Sequence, residues 1–378
     1  MKNKRMRKKL MAVMLTVVLA FGGTACGSTG NNSSDSERKD AASIKEENQV
    51  ETTQSTSRQE VESTKKTQYP LTITTYGTDG SELTTIYEKA PEKVVAVYQG
   101  CIETMLALGL EDHLIATAGL DNEVPDSQKE AFSKINYLDE FTPSLETVTM
   151  LEPDMIFSWG SFFKEGTLGN VQDWVEKGTN IYMNTNTHPM QNGQSYDKTL
   201  ENEFTDILNI GKIFDVQDRA EAIVNDMKES IEKVAEKTKN QEEKPTALIL
   251  ESGTDQFTNY GKTSLGGDMV TKLGGELANP DASQMGKEDV IAANPDVIFI
   301  VYMPYSGDDE EQVKQEKLDV ILKDETYASL DAVKNGRIVP IMLSEMYASA
   351  TRTKDGIVTF AEGLYPNIDL GLESSEGK

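Results

Sequence analysis

Histidine and cysteine are nearly absent from this chain: two of each in 378 residues, His113, His188, Cys26 and Cys101. Two histidines cannot build a multi-histidine zinc centre. A Ser/His/Asp hydrolase would have to use one of them, and no G-x-S-x-G or H-E-x-x-H motif supports either. Gly261-Lys262-Thr263 suggests a phosphate loop, but Gln256 stands where that motif needs glycine. Positive charge is scarce too. Against 63 Asp and Glu there are 37 Lys and Arg, a net charge of −26, which repels nucleic acid and anionic headgroups. Long apolar runs are missing. The best candidate, residues 10–21 broken by Thr16, falls short of the roughly 20 residues that span a bilayer.

That short run sits between a basic start, MKNKRMRKKL, and the small residues Gly22, Gly23, Thr24 and Ala25. Basic, apolar and small-residue regions in this order make an export signal. Ala25-Cys26 resembles the lipobox of bacterial lipoproteins, with Gly23 where an aliphatic is usual. The expectation is that residues 1–25 are removed and that lipid on Cys26 anchors the chain outside the cytoplasm, at the cell membrane. Loss of residues 1–25, which carry six positive charges and no acid, takes the charge to −32. An acylated Cys26 leaves Cys101 without a disulfide partner. The rest of 26–68 is Ser-, Thr-, Asn-, Gln-, Lys- and Glu-rich, too polar to order itself, and reads as a flexible tether.

Beyond Tyr69, strands and helices alternate. LTITTY (71–76), the turn GTDG and residues 82–88 read as a hairpin. VVAVY, DMIFSW and NIYMN read as strands, with helices at 101–110 and 170–178 between them. TALILE, DVIFIVY and RIVPIM repeat the theme after residue 245, with helical stretches at 269–275 and 345–364. Between these halves lie a helix at 199–214 and a second one to about Thr238, whose apolar positions Ala220, Ile223, Val224, Met227, Ile231 and Val234 follow helical spacing. Two segments repeat at an offset of 142 residues: Glu146 to Pro153-Asp154 and a strand, and Glu288 to Pro295-Asp296 and a strand. The fold class expected is α/β: two parallel-sheet, Rossmann-like lobes joined by a single long α-helix, with a ligand cleft between them. The boundaries expected are 1–25 signal, 26–68 tether, 69–198 N-terminal lobe, 199–239 helical connector and 240–378 C-terminal lobe.

KVVAVYQGCIETMLALGLEDHLIA, SLETVTMLEPDMIFSW, NIGKIF, SLGGDMVTKLGGELANPD, GKEDVIAANPDVIFI and YASLDAVKNGRIVPI, in this order, resemble the helix-linked substrate-binding proteins of bacterial ABC importers for iron–siderophore complexes, haem and cobalamin. The resemblance covers roughly residues 70–366. It implies a binding protein rather than an enzyme, a monomer with no cofactor and no metal of its own, and an ABC permease with its ATPase as partners. It places permease-docking carboxylates at Glu146 and Glu288; the plainer role of each is to favour the N-terminal end of its helix.

Ligand would contact loops after the strand ends. The candidates are Tyr98, Gln99, Trp159 and Phe162 from the first lobe, and Tyr260, Tyr302, Met303, Met346, Tyr347 and Arg352 from the second. Trp159, thirteen residues after Glu146, matches a Trp of cobalamin-binding members; the Trp those members carry before the second docking Glu is replaced near Ala282. Arg352 either pairs with an anionic ligand or with local acids, and Lys262 and Lys164 are further possible cations. His188 with Met190 could ligate haem iron or be plain loop. Cys101 could be a helix-start thiolate or a buried small residue. The expected cargo is a ferric siderophore, then a corrinoid or haem; scarce cleft cations favour a neutral hydroxamate complex or a corrinoid over a trianionic catecholate. An enzyme or sensor on the same two-lobe fold is the rival class.

Overall fold

The structure, a computed structural model, describes residues 66–375; the expected signal, Cys26 and nearly all of the expected tether lie outside them. Twelve strands are present among the described residues: β1 Leu71–Tyr76, β2 Glu82–Tyr87, β3 Val94–Val97, β4 Leu114–Ala118, β5 Met155–Ser158, β6 Asn180–Met183, β7 Thr246–Ser252, β8 Phe257–Asn259, β9 Glu276–Leu277, β10 Gln284–Met285, β11 Val297–Tyr302 and β12 Ile338–Met342. β3 to β6 form a parallel sheet in the order β4-β3-β5-β6. The second sheet runs β10-β8-β7-β11-β12, with β9 alongside the start of β7. Among its parallel strands the order is β9-β7-β11-β12. In each lobe the second parallel strand flanks the first on one side and the third and fourth flank it on the other. The lobes are topological copies, each with its strand order reversing beside its first strand.

Side chains alternate across both sheets, as strand geometry dictates. Val94 and Ala96 enter a core shared with the connector, whereas Val95 and Val97 enter the outer core of the first lobe around Trp174. Val297, Phe299 and Val301 enter the shared core, and Ile298 and Ile300 the outer core of the second lobe. Apolar burial on both faces explains why these strands read as continuous apolar runs.

The repeated Glu-to-Pro-Asp segment does the same structural work twice. Helices Leu145–Met150 and Lys287–Ala293 precede the prolines. The residue before each proline leaves the right-handed region, Glu152 at φ 48° and Asn294 at φ 36°, since proline disfavours helix there. The carboxylate of Asp154 then accepts from the N–H groups of Glu92 (2.8 Å) and Lys93 (2.9 Å), just before β3. Asp296 accepts from Thr246 N–H (2.7 Å) at the start of β7. Each Asp pins the third parallel strand of its lobe to the first.

The helix Gln217–Thr238 connects the lobes. At its start Arg219 donates to Leu108 O (2.7 Å) in the first lobe. Further along, Ser230 Oγ accepts from Lys354 Nζ (2.7 Å), on the C-terminal helix Thr353–Leu364. Helix Leu200–Ile213 packs beside it, and Gly211 permits the approach: a Cβ there would lie 2.4 Å from Ala220 Cβ. Among the described residues no helix is long and apolar enough to cross a membrane.

Candidate ligand-binding cleft

Ligands of open α/β sheets bind where strand order reverses, beyond the carboxyl ends of the strands. In the first lobe that crevice lies between β3 and β5, so the residues following them, Tyr98 and Trp159, wall it. Their ring centroids are 3.9 Å apart. Tyr98 adopts φ 87°, ψ 154°, a region normally left to glycine, and its hydroxyl donates to Asp121 Oδ2. Phe162 lies 5.4 Å from the Tyr98 ring. Opposite stands Tyr347 of the second lobe, its ring 5.7 Å from Trp159 and 6.1 Å from Tyr260. Tyr98, Trp159 and Tyr347 line, with Gln99, Asp121, Met303 and Ser344, a cavity of about 140 Å³. Drug-sized ligands fill about 300–1,000 Å³, more than this space. The lobes are shut on one another.

Direct bonds hold them shut. Arg352 forms a forked ion pair with Glu103 of the first helix, Gln99–Ala107: Nη2 to Oε1 is 2.6 Å and Nε to Oε2 is 2.8 Å. Glu103 is fully buried, and the Arg352 side chain is 11% exposed. Arg352 Nη2 also donates to Glu123 O (2.7 Å). Asn122 donates to Pro304 O, and Ser306 N–H to Asp121 O (2.9 Å). Gly100 lets the first helix meet the second lobe, since a Cβ there would stand 3.0 Å from Ala348 O. Ala348 and Ala350, at φ 50° and 49°, give this segment two left-handed residues. Ala350 N–H donates to Glu203 Oε2 (2.6 Å).

Several candidates have partners within the protein. Arg352 is largely buried and its partner is Glu103, 249 residues away in the chain, with Nη1 3.4 Å from Ser344 Oγ at the cavity wall. Met346 is fully buried in the shared core. Tyr302 is 6% exposed and its hydroxyl donates to Glu310 Oε1 (3.0 Å). Gln99 is 3% exposed and works as a brace: its Oε1 accepts from the N–H groups of Asp121 (3.0 Å) and Asn122 (3.1 Å). Tyr260 donates to Glu251 Oε2 (2.6 Å). His188 is sandwiched between Tyr76 (4.0 Å) and Tyr196 (3.6 Å), and burial lowers its pKa. Met190 is 60% exposed. Cys101 is fully buried, and burial raises its thiol well above the usual range, so no thiolate forms at the helix start. Lys262 pairs with Asp281 (2.5 Å). Lys164 lines a separate groove beside Glu146.

Glu146 and Glu288 are exposed in the first turns of their helices, and neither makes a hydrogen bond or ion pair with a described residue. The caps are supplied by neighbours. Ser144 Oγ accepts from Thr147 N–H (3.1 Å), and Asp289 accepts from Gly286 N–H (2.9 Å).

Sequence reasoning missed Glu103, the Asp121-Asn122 loop, Lys198 and the buried acids of helix Leu200–Ile213. Glu203 and Asp206 are buried there, and burial raises their pKa values to about 8 and about 7. Asp206 accepts from Tyr182 OH (2.8 Å) and from Thr185 N–H (2.7 Å). Buried acids at helical spacing look in sequence like any solvated face.

Two lobes of repeated topology, one connecting helix and a cleft at the facing switch points define a helix-linked solute-binding protein. Residues 94–342 match the periplasmic binding protein family, and the chain belongs to it. It is 22% identical over 305 residues, 79% of this chain and 87% of the relative, to the uncharacterized ABC transporter substrate-binding lipoprotein YvrC of Bacillus subtilis. It is 24% identical over 273 residues to the petrobactin-binding protein YclQ of the same organism, covering 69% of this chain and 78% of that one. A periplasmic binding protein of Veillonella parvula superposes with a TM-score of 0.70 at 28% identity, over 80% of this chain and 93% of that one.

Proposed function

We propose that this chain is an extracytoplasmic lipoprotein, anchored through Cys26, that captures an iron complex and delivers it to an ABC permease and its ATPase. The observation that carries the reading is the aromatic box at the facing switch points. Tyr98, Trp159 and Tyr347 offer flat apolar area to a large chelate, and the buried Trp159 indole N–H has no acceptor. A buried donor without a partner costs about 1–3 kcal/mol, and a ligand oxygen in the opened cleft would supply the acceptor. A ferric siderophore is the first choice, in keeping with the petrobactin named for one relative; corrinoid and haem come next. Tyr98 holds its strained backbone in the same box, and strain of this kind gathers at ligand clamps. The exposed, unpartnered Glu146 and Glu288 suit charged contacts to the permease.

The test is titration of purified protein with a ferric siderophore, a corrinoid and haem while following tryptophan emission. The expected result is saturable quenching below micromolar concentration by one of them, lost in Trp159→Ala. No quenching by any of the three would overturn the reading.

A further inference from the structure

We propose that the Asp121 carboxylate sets the charge of the cargo, and that the cleft selects chelates bearing an ammonium or other cationic group over neutral and anionic ones. This rests on the binding reading above and deepens it. Among the described residues that line the cavity, Asp121 alone carries a charge. It is 7% exposed. Its Oδ2 accepts from the Tyr98 hydroxyl, and its Oδ1 has no hydrogen-bond partner among the described residues. A phenol is neutral, so that bond leaves the negative charge in place. Burial raises the Asp121 pKa and the Tyr98 bond lowers it, with no cation contributing. The cations around the cleft are engaged or set back. Arg352 is paired with Glu103, and Lys129 with Glu123 (3.1 Å) and Asp126 (2.6 Å). Lys198 Nζ stands 4.3 Å over the Tyr347 ring and donates to its hydroxyl (3.1 Å), but Lys198 does not line the cavity. More acids stand on the far side of Asp121. The loop whose Ser306 N–H meets Asp121 O also carries Tyr305, whose pKa is raised by burial and then by the charges of Asp121, Glu251 and Asp308.

Parting of the lobes keeps this arrangement, because Tyr98, Asp121 and Trp159 all belong to the first lobe. Gln99 braces it, accepting from Asp121 N–H (3.0 Å) and donating to Glu103 Oε1. A cation that enters gains twice. The carboxylate oxygen without a partner offers a charge-assisted hydrogen bond, and Tyr98 and Trp159 offer ring faces, which attract cations. The partly desolvated setting strengthens the attraction over its value in water. An anionic group meets the same carboxylate as repulsion.

One ferric trihydroxamate core with variable terminal charge tests this: ferrioxamine B (+1), its N-acetyl derivative (0) and its N-succinyl derivative (−1), titrated by tryptophan quenching. Wild-type protein should bind ferrioxamine B at least about ten-fold tighter than the N-acetyl complex, roughly 1.4 kcal/mol, and the N-succinyl complex weakest. Asp121→Asn keeps the side-chain shape and an acceptor for Tyr98. It should bring ferrioxamine B and the N-acetyl complex within about two-fold of one another and bind the N-acetyl complex as the wild type does. Tyr98→Phe removes the phenol and leaves the carboxylate, so it should keep the order of the three. No preference for the cation in the wild type, a preference that survives in Asp121→Asn, or an order lost in Tyr98→Phe overturns the proposal alone. So does an equal loss of all three complexes in Asp121→Asn, which would make Asp121 a structural residue, or binding of haem or cobalamin with none of the series bound. No binding of any of these overturns the parent reading as well.

Discussion

Two side chains 249 residues apart in the chain, Glu103 and Arg352, show how single residues set the state of the cleft. Both charges are withdrawn from water, so each depends on the other. Removing one partner of such a pair costs about 3–5 kcal/mol, whereas replacing both with apolar groups is often neutral. Arg352→Ala should therefore lower unfolding stability by that amount in chemical denaturation, and Glu103→Leu with Arg352→Met should recover most of it. Equal losses in the single and double variants would refute the coupling. Glu203 and Asp206 make a second residue-scale case. An acid whose pKa is higher folded than unfolded carries more protons in the fold, so stability falls as pH rises. The window opens near the ordinary values, 4.5 and 3.8, and closes at about 8 and about 7. Each group contributes a slope of at most about 1.4 kcal/mol per pH unit. Relative to the wild type, Glu203→Gln should show a flatter decline in midpoint between pH 5 and pH 8. Parallel profiles would mean that Glu203 titrates normally.

At the scale of elements, the connector works through close packing. Gly211 and Ala220 let helices Leu200–Ile213 and Gln217–Thr238 touch. Gly211→Ala gains about 1 kcal/mol of helix propensity but forces the helices apart, and overpacking typically costs about 1–3 kcal/mol. The expected net effect is a lower thermal midpoint, restored by adding Ala220→Gly; a raised midpoint would show that the helices have room. The long elements were legible in the sequence because period and composition mark them: Gln217–Thr238 by its apolar stripe, β11 by its unbroken apolar run. Others were not. β4, with a threonine among short apolar residues, resembles a loop, and β9 and β10 are two residues each. Helix Glu310–Leu322 carries charge all round, and only Ile321 in it is buried.

For the molecule as a whole, a cavity of about 140 Å³ is too small for a chelate unless the lobes part. Parting breaks the Glu103–Arg352 pair and the Asn122 and Ser306 bonds. The connecting helix touches both lobes and resists bending, which suits a small hinge. Glu146 and Glu288 lie at equivalent places in the two lobes, so their separation follows lobe geometry. The double variant Glu146→Ala with Glu288→Ala should keep ligand affinity in the titration and lose cellular uptake of labelled ligand. Lost affinity would assign both residues to the fold instead.

The sequence by itself determined the two-lobe plan, because strand alternation, the Pro-Asp repeat and one long amphipathic helix are local patterns with local physical causes. It also marked Tyr98 and Trp159, which directly follow strands β3 and β5, and Tyr347 in the loop region beyond β12. Only the tertiary structure decided what each charge does. Whether Arg352 faces a ligand or Glu103, and whether Lys198 has a carboxylate partner, depends on which side chains from distant segments share a desolvated site. Coulomb energy and burial are properties of that neighbourhood and not of sequence spacing.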